Sequence, residues 1–255
     1  MQTPLNQGAF LKRVRAGELT VGTFLGLAAP MAAEVAAVSG ADWVLLDLEH
    51  GGSGEEQVGA TVVASGAYGL PTLVRVESAE RIRIGRVLDA GAAGVMIPRL
   101  TSAAEVANAT QHFAYPPLGD RGAATYNRAA RWGKDPEALD PAPKAACIIQ
   151  IETVGALDEA DLIAALPGVD ILFVGPLDLS LALSVPRDFA NPKFQEALEK
   201  VVAAAKANGK QAGILAADTA AARRYIEQGF QFIAIGSDST LLAKAITDAV
   251  TEIKG

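Results

Sequence analysis

Eight short apolar runs recur along the chain, separated by segments of helical period: VGTFLGL (21–27), WVLLDLE (43–49), PTLVRV (71–76), GVMIPRL (94–100), AACIIQIE (145–152), DILFVGPL (170–177), QAGILAA (211–217) and QFIAIGS (231–237). They are rich in Val, Ile and Leu and alternate little with polar residues, which is the pattern of parallel strands covered on both faces. Between them lie stretches such as MAAEVAAVSG (31–40), SAERIRIGRVLDAG (78–91) and NPKFQEALEKVVAAAKANG (191–209), the last closing on an Asn-Gly stop. Eight strands each followed by helix in 255 residues predict an α/β fold, a single (β/α)8 TIM barrel over residues 1–255. A doubly wound sheet is the alternative. No Ser/Gly-rich linker divides the chain, and the recurring ADW, GAAG and GVD before strands are turn chemistry rather than a repeat.

Composition narrows what such a barrel does. A net charge of −7 leaves no basic face to displace counterions or meet anionic headgroups, so neither nucleic acid nor a membrane surface is expected as partner. Cys147 is the only cysteine and sits inside AACIIQIE, where it reads as a small core residue rather than a nucleophile. The opening MQTPLNQGAFLKRVRAG has no apolar leader and no segment is long and apolar enough to span a bilayer, so a cytoplasmic location is expected.

In a barrel the chemistry belongs at the carboxyl ends of the strands. The polar residues collect there: Asp47, Glu49 and His50 close the second run, Arg75 the third, Pro98-Arg99 the fourth, Gln150 and Glu152 the fifth, and Asp178 follows the sixth. Each alone is readable as a salt bridge or helix cap; their convergence on one rim argues for a site. Gln150 and Glu152 are two apart and share a strand face, and Asp178 follows a Gly-Pro turn that opens a helix. A Glu152–Asp178 pair offers hard oxygen ligands to Mg²⁺ or Mn²⁺, although the spacing alone is equally that of carboxylates held in structural ion pairs with basic residues.

LDLEHG (46–51), PTLVRV (71–76), LDAGAAGVMIPR (88–99), YPPLGDRG (115–122), QIET (150–153) and GPLDLS (175–180) together resemble the HpcH/HpaI-type, pyruvate-dependent class II aldolases, which include 4-hydroxy-2-oxoheptanedioate and 2-dehydro-3-deoxyglucarate aldolases. The likeness spans nearly the whole chain. It implies a lyase that reversibly adds pyruvate or hydroxypyruvate to an aldehyde through an enolate. Glu152 and Asp178 would hold a divalent cation (Mg²⁺, Mn²⁺ or Co²⁺), Gln150 and the backbone at Leu177 would contact the 2-oxoacid, Arg75 would stabilise the transition state, and His50 would be the base, supported by Asp89. Leu118 stands where many relatives carry a basic or polar residue. No strand end carries a lysine, in keeping with a reaction that forms no imine. The resemblance also implies that the last helix is exchanged between subunits of a hexamer. The apolar stripe of Leu241, Leu242, Ala245, Ile246, Ala249, Val250 and Ile253 recurs at helical spacing and must be buried somewhere.

Two other classes compete: a metal-dependent acyl-CoA lyase of the citrate lyase β-subunit type, which would need a basic surface for the CoA phosphates, and a non-catalytic barrel, which would have no reason to keep the polar set. Outside the rim, His112 reads as a helix-terminal cation or surface residue. Residues 115–143, with Arg121 and Arg128, read as an irregular excursion of the kind that forms lids or subunit contacts. Gly213 and Gly236 mark either close substrate approach or a bulge.

Overall fold

The computed structural model describes residues 7–52 and 54–255; the first six residues, part of the stretch read as lacking a leader, lie outside them. All eight predicted strands form: β1 (Thr20–Leu25), β2 (Trp43–Asp47), β3 (Thr72–Arg75), β4 (Gly94–Ile97), β5 (Ala146–Ile151), β6 (Ile171–Val174), β7 (Gln211–Ala216) and β8 (Phe232–Ser237). They pair in parallel, in sequence order, and β8 returns to β1 to close a (β/α)8 barrel. Several apolar runs extend past their strands at the carboxyl end, because the residues there leave the ladder for the loops that build the site.

Strand alternation divides the apolar residues into two cores. One set fills the barrel: Phe24, Trp43, Leu45, Leu73, Met96, Ala146, Ile148, Ile171, Phe173 and Phe232. Their sequence neighbours, including Val44, Leu46, Val74, Val95, Cys147, Ile149, Leu172 and Ile233, face the surrounding helices. Trp43 stacks on Phe232 at 4.2 Å between ring centroids, and a Cβ on Gly22 would come within 2.2 Å of the Trp43 ring, so glycine is what leaves room for that indole. Cys147 is buried as expected, and burial pushes its thiol well above the ordinary range, leaving it unreactive.

The helices are α1 (Gln7–Arg15), α2 (Pro30–Val38), α3 (Glu56–Gly66), α4 (Arg81–Asp89), α5 (Ala103–Gln111), α6 (Val154–Asp158), α7 (Ala160–Ala165), α8 (Pro176–Ala182), α9 (Pro192–Ala207), α10 (Thr219–Glu227) and α11 (Asp238–Lys254). The sequence patterns did not single out α1, whose Phe10, Leu11 and Val14 join the interior core and plug the barrel's amino-terminal end. α9 begins at an Asn191 cap followed by Pro192 and stops at Asn208, with Gly209 at a φ of 64° that favours glycine. α11 departs from the ring: none of its residues is buried, and Leu241, Leu242, Ile246, Val250 and Ile253 are all exposed. Beside its first turn an apolar groove of about 540 Å³ opens between β1, α2 and β8, with Val35, Ala36, Ile235, Leu241 and Leu242 in its walls. No described helix is long and apolar enough to cross a membrane.

Candidate functional site

The interior parity that buries Trp43 and Leu45, Leu73, and Ala146 and Ile148 carries on to Asp47, Arg75 and Gln150, and past the end of β5 to Glu152. The topmost inward-facing layer of the barrel is therefore polar. In the β2–β3 register Asp47 lies directly beside Arg75. The two form a forked pair, Arg75 Nε donating to Asp47 Oδ1 at 2.9 Å and Nη2 to Oδ2 at 2.7 Å. The backbone N–H groups of Glu49 and His50 also donate to Asp47 Oδ1. Burial works against the charged form of Asp47, but these bonds and the guanidinium outweigh it and hold the carboxyl below its usual range. Arg75 Nη1 lies 3.1 Å from Glu49 Oε2, yet that buried oxygen receives no directed hydrogen bond. The guanidinium is thus fixed from one side by two carboxylates.

Across the mouth, Glu152 is buried to 2% exposure. Its Oε1 accepts the backbone N–H of Arg99 at 2.8 Å, and its Oε2 accepts from Gln150 Nε2. Arg99 presents that N–H from a left-handed backbone, φ 64°, which is strained for a side chain of this size. Burial is the main force on Glu152; the Arg99 N–H eases it, and the charges of Asp178 and Glu49 add to it, so the carboxyl is pushed up to about 6. Asp178, in the first turn of α8, is partly exposed, with Arg99 Nη1 3.6 Å from its Oδ1. Between β6 and α8, Gly175 is needed because a Cβ there would come within 2.7 Å of Gln150 Nε2 and 2.9 Å of Glu152 Oε2. Gln150 Oε1 is buried without a partner.

This donor set fits a hard divalent cation. Two carboxylates from adjacent strand ends, one of them pushed up to about 6 chiefly by its burial, could supply oxygen ligands. Among the described residues no group of three or more His, Cys, Asp or Glu side chains is placed to hold a metal ion. The cleft is about 350 Å³, with Phe24, Phe173, Leu177 and Leu215 as its apolar wall and Ser237 and Thr240 at its edge.

The structure brings Arg75, Gln150, Leu177, Asp178 and His50 around this cleft, with Glu152 behind it. His50 is at the rim with a largely exposed ring. Asp89 is not there. α4 runs back from the end of β3 to the start of β4, so its last residue stands at the opposite, amino-terminal end of the barrel, where Asp89 Oδ1 accepts from Arg121 Nη2 at 2.8 Å. Within one chain it cannot support His50. The excursion over residues 115–143 also lies away from its own cleft: Ala129 N donates to Asp89 O, and Arg121 rests over the Tyr115 ring at 4.7 Å. Neither Arg121 nor Arg128 lines the cleft of the chain that carries it. His112 is buried, not a surface residue, and its Nδ1 shares a 2.7 Å hydrogen bond with Asp120 Oδ1. Asp47, Glu49 and Arg99 were placed on the rim by the sequence but given no role; the alternation of β2 was the signal for Asp47, and nothing local announced the Arg99 backbone N–H.

A family model described as HpcH/HpaI aldolase/citrate lyase matches residues 20–245. The chain is 37% identical to the hydroxypyruvate/pyruvate aldolase of Pseudomonas aeruginosa, covering 100% of this chain and 95% of that one. It is 38% identical to the 4-hydroxy-2-oxo-heptane-1,7-dioate aldolase of Salmonella typhimurium, over 93% and 91% of the two chains. The crystal structure of an HpcH/HpaI aldolase/citrate lyase family protein from Burkholderia cenocepacia superposes with a TM-score of 0.92 at 37% identity, covering 97% of this chain and 100% of that one.

Proposed function

The chain belongs to the HpcH/HpaI aldolase/citrate lyase family, and on that premise we propose that it is a class II aldolase whose cleft reversibly joins pyruvate or hydroxypyruvate to an aldehyde. In this reading Glu152 and Asp178 hold a divalent cation, Mg²⁺, Mn²⁺ or Co²⁺, which supplies Lewis acidity to the oxoacid carbonyl and makes the adjacent C–H acidic. Gln150 and the backbone at Leu177, both in the wall of the cleft, orient the oxoacid. Arg75 needs no protonation event to be charged, and Asp47 pins it in place, so it meets developing negative charge without reorganising; such preorganised charge is worth about 3–4 kcal/mol. His50 takes the proton of the substrate hydroxyl on cleavage and returns it on addition, at a ring nitrogen. The apolar wall of Phe24, Phe173, Leu177 and Leu215 excludes water from the acceptor side.

The observation that carries this reading is the pair Glu152–Asp178, a buried carboxyl pushed up to about 6 beside a second carboxylate, with the Arg75 guanidinium engaged by Asp47 and Glu49 and only the exposed Arg99 side chain, 3.6 Å from Asp178, near the pair. Chelator-stripped protein assayed with pyruvate and hydroxypyruvate against several aldehydes is expected to be inactive and to recover with Mg²⁺, Mn²⁺ or Co²⁺. Full activity in excess chelator would sink the reading.

The same proposal includes assembly. α11 projects its apolar stripe into solvent while an apolar groove stands open beside it, so the helix of another copy fills the groove and the exchange builds an oligomer, a hexamer in this reading. Any support of His50 by Asp89 must then come from a neighbour. Light scattering on active protein is expected to give a multiple of the chain mass; a mass of one chain would return α11 to its own barrel.

A further inference from the structure

We propose that Arg99 sets how tightly the mouth holds its divalent cation: the guanidinium is a built-in competitor for Asp178, which an entering cation has to push aside. The proposal rests on the reading of Glu152 and Asp178 as the cation ligands and adds a residue that is neither of them. One residue reaches both carboxylates. The backbone N–H of Arg99 donates to Glu152 Oε1 at 2.8 Å, and its Nη1 stands 3.6 Å from Asp178 Oδ1. Among the charges that act on Glu152, those of Asp178 and Glu49 oppose ionisation and that of Arg99 favours it. The positive charge of Arg99 is therefore felt by both members of the pair.

The backbone indicates that the side chain matters. To aim its N–H at Glu152, residue 99 holds φ at 64°, a conformation that glycine adopts without strain and arginine does not. A glycine would serve the N–H bond as well, so what the strain retains is the side chain. That side chain is loosely held: it is 61% exposed, its guanidinium makes no hydrogen bond among the described residues, and Asp178 is its one ion-pair partner there. Arg75 differs, with Nε and Nη2 on Asp47 and Nη1 3.1 Å from Glu49. An exposed pair at 3.6 Å is weak and gives way to a doubly charged ion. Once displaced, the guanidinium stays near that ion, because its backbone is tied to Glu152. The lost ion pair and the like-charge repulsion then act with the same sign, against the cation. Both are Coulombic at an exposed site, so salt screens both.

The test titrates the full-length, chelator-stripped chain with Mn²⁺, counting free Mn²⁺ by electron paramagnetic resonance at about pH 8, well above the value of about 6 to which Glu152 is pushed. Arg99→Gln removes the charge and keeps a polar side chain. It is expected to tighten Mn²⁺ binding by about 5- to 10-fold in low salt, and the factor is expected to shrink toward unity at about 0.5 M salt. Arg99→Lys keeps the charge and should bind Mn²⁺ within about twofold of the parent. Arg99→Gly removes charge and strain together and should tighten binding as Arg99→Gln does; it also carries the test should Arg99→Gln fail to fold. Unchanged or weaker binding in the uncharged variants would overturn the proposal. So would a gain that persists in high salt or is shared by Arg99→Lys, since Arg99 would then act through its bulk or its backbone. A parent chain that binds no Mn²⁺ would defeat the cation reading itself, and that result is visible before any variant is made.

Discussion

The two ends of this barrel treat buried charge differently. At the amino-terminal end Asp170 is buried to 6% exposure, yet Arg15 Nε donates to its Oδ1 at 3.0 Å and the Cys147 N–H to its Oδ2 at 2.9 Å. Asp42 is settled in the same way by Arg13 and the Val21 N–H, and α1 seals the opening with Phe10, Leu11 and Val14. At the carboxyl end, Glu49 and Gln150 each leave a buried oxygen without a hydrogen bond, Glu152 is pushed up to about 6, and Arg99 holds a left-handed backbone to reach it. Both ends set carboxylates at strand termini against arginines, which come from α1 at the amino-terminal end and from β3 and the loop after β4 at the carboxyl end. At one end Asp42 and Asp170 each have both oxygens bonded, although Gln211 Oε1 and Arg121 Nε lack a partner there; at the other, buried carboxylate and amide oxygens lining the mouth are the ones left open.

That contrast can be broken at either end. The largest effect is expected from Glu152→Gln, which deletes a proposed cation ligand: activity in saturating Mn²⁺ should fall by about three orders of magnitude, several kcal/mol of barrier. The unfolding temperature of the metal-free variant should not drop, since a neutral amide replaces a strained carboxylate. A large loss of thermal stability in calorimetry would mean that the carboxyl end is also built for stability. At the other end Phe10→Ala is expected to cost about 3 kcal/mol of stability by opening a cavity in the interior core, with kcat per folded molecule little changed; denaturant unfolding and active-site titration together check this.

A smaller and sharper effect concerns pH. In the proposed site cation binding requires ionised Glu152, so the apparent Mn²⁺ affinity of the stripped protein should weaken as pH falls through about 6, by about tenfold per unit for one competing proton. Glu152's folded value lies above its unfolded one. Its contribution to metal-free stability is therefore fully present below the ordinary carboxylate range and is lost as pH rises through about 6. Calorimetric titration from pH 7 to 5 reads the affinity, and a flat profile would place the cation elsewhere.

Eight strands, their parallel order and the split into inner and outer faces were legible in the sequence, because a two-residue period and apolar run length are local properties of the chain. The same period places Gln150 beside Glu152 and aims Asp47 and Arg75 inward, so much of the site was legible as well. Tertiary structure decided the rest. Asp89 is close to Arg75 in sequence yet lies at the other end of the barrel, because one antiparallel helix separates them. His112 finds Asp120, Arg99 turns its N–H to Glu152, and Glu49 comes between Arg75 and His50, each through the folded path of the backbone rather than through any residue pattern. The α11 stripe could be read as apolar, but only the fold shows that its own barrel leaves it uncovered. Periodicity determines which face a side chain takes; the closure of eight strands into a ring determines which side chains from different strands and loops meet, and whether a buried charge finds all its bonds or is left waiting for a ligand.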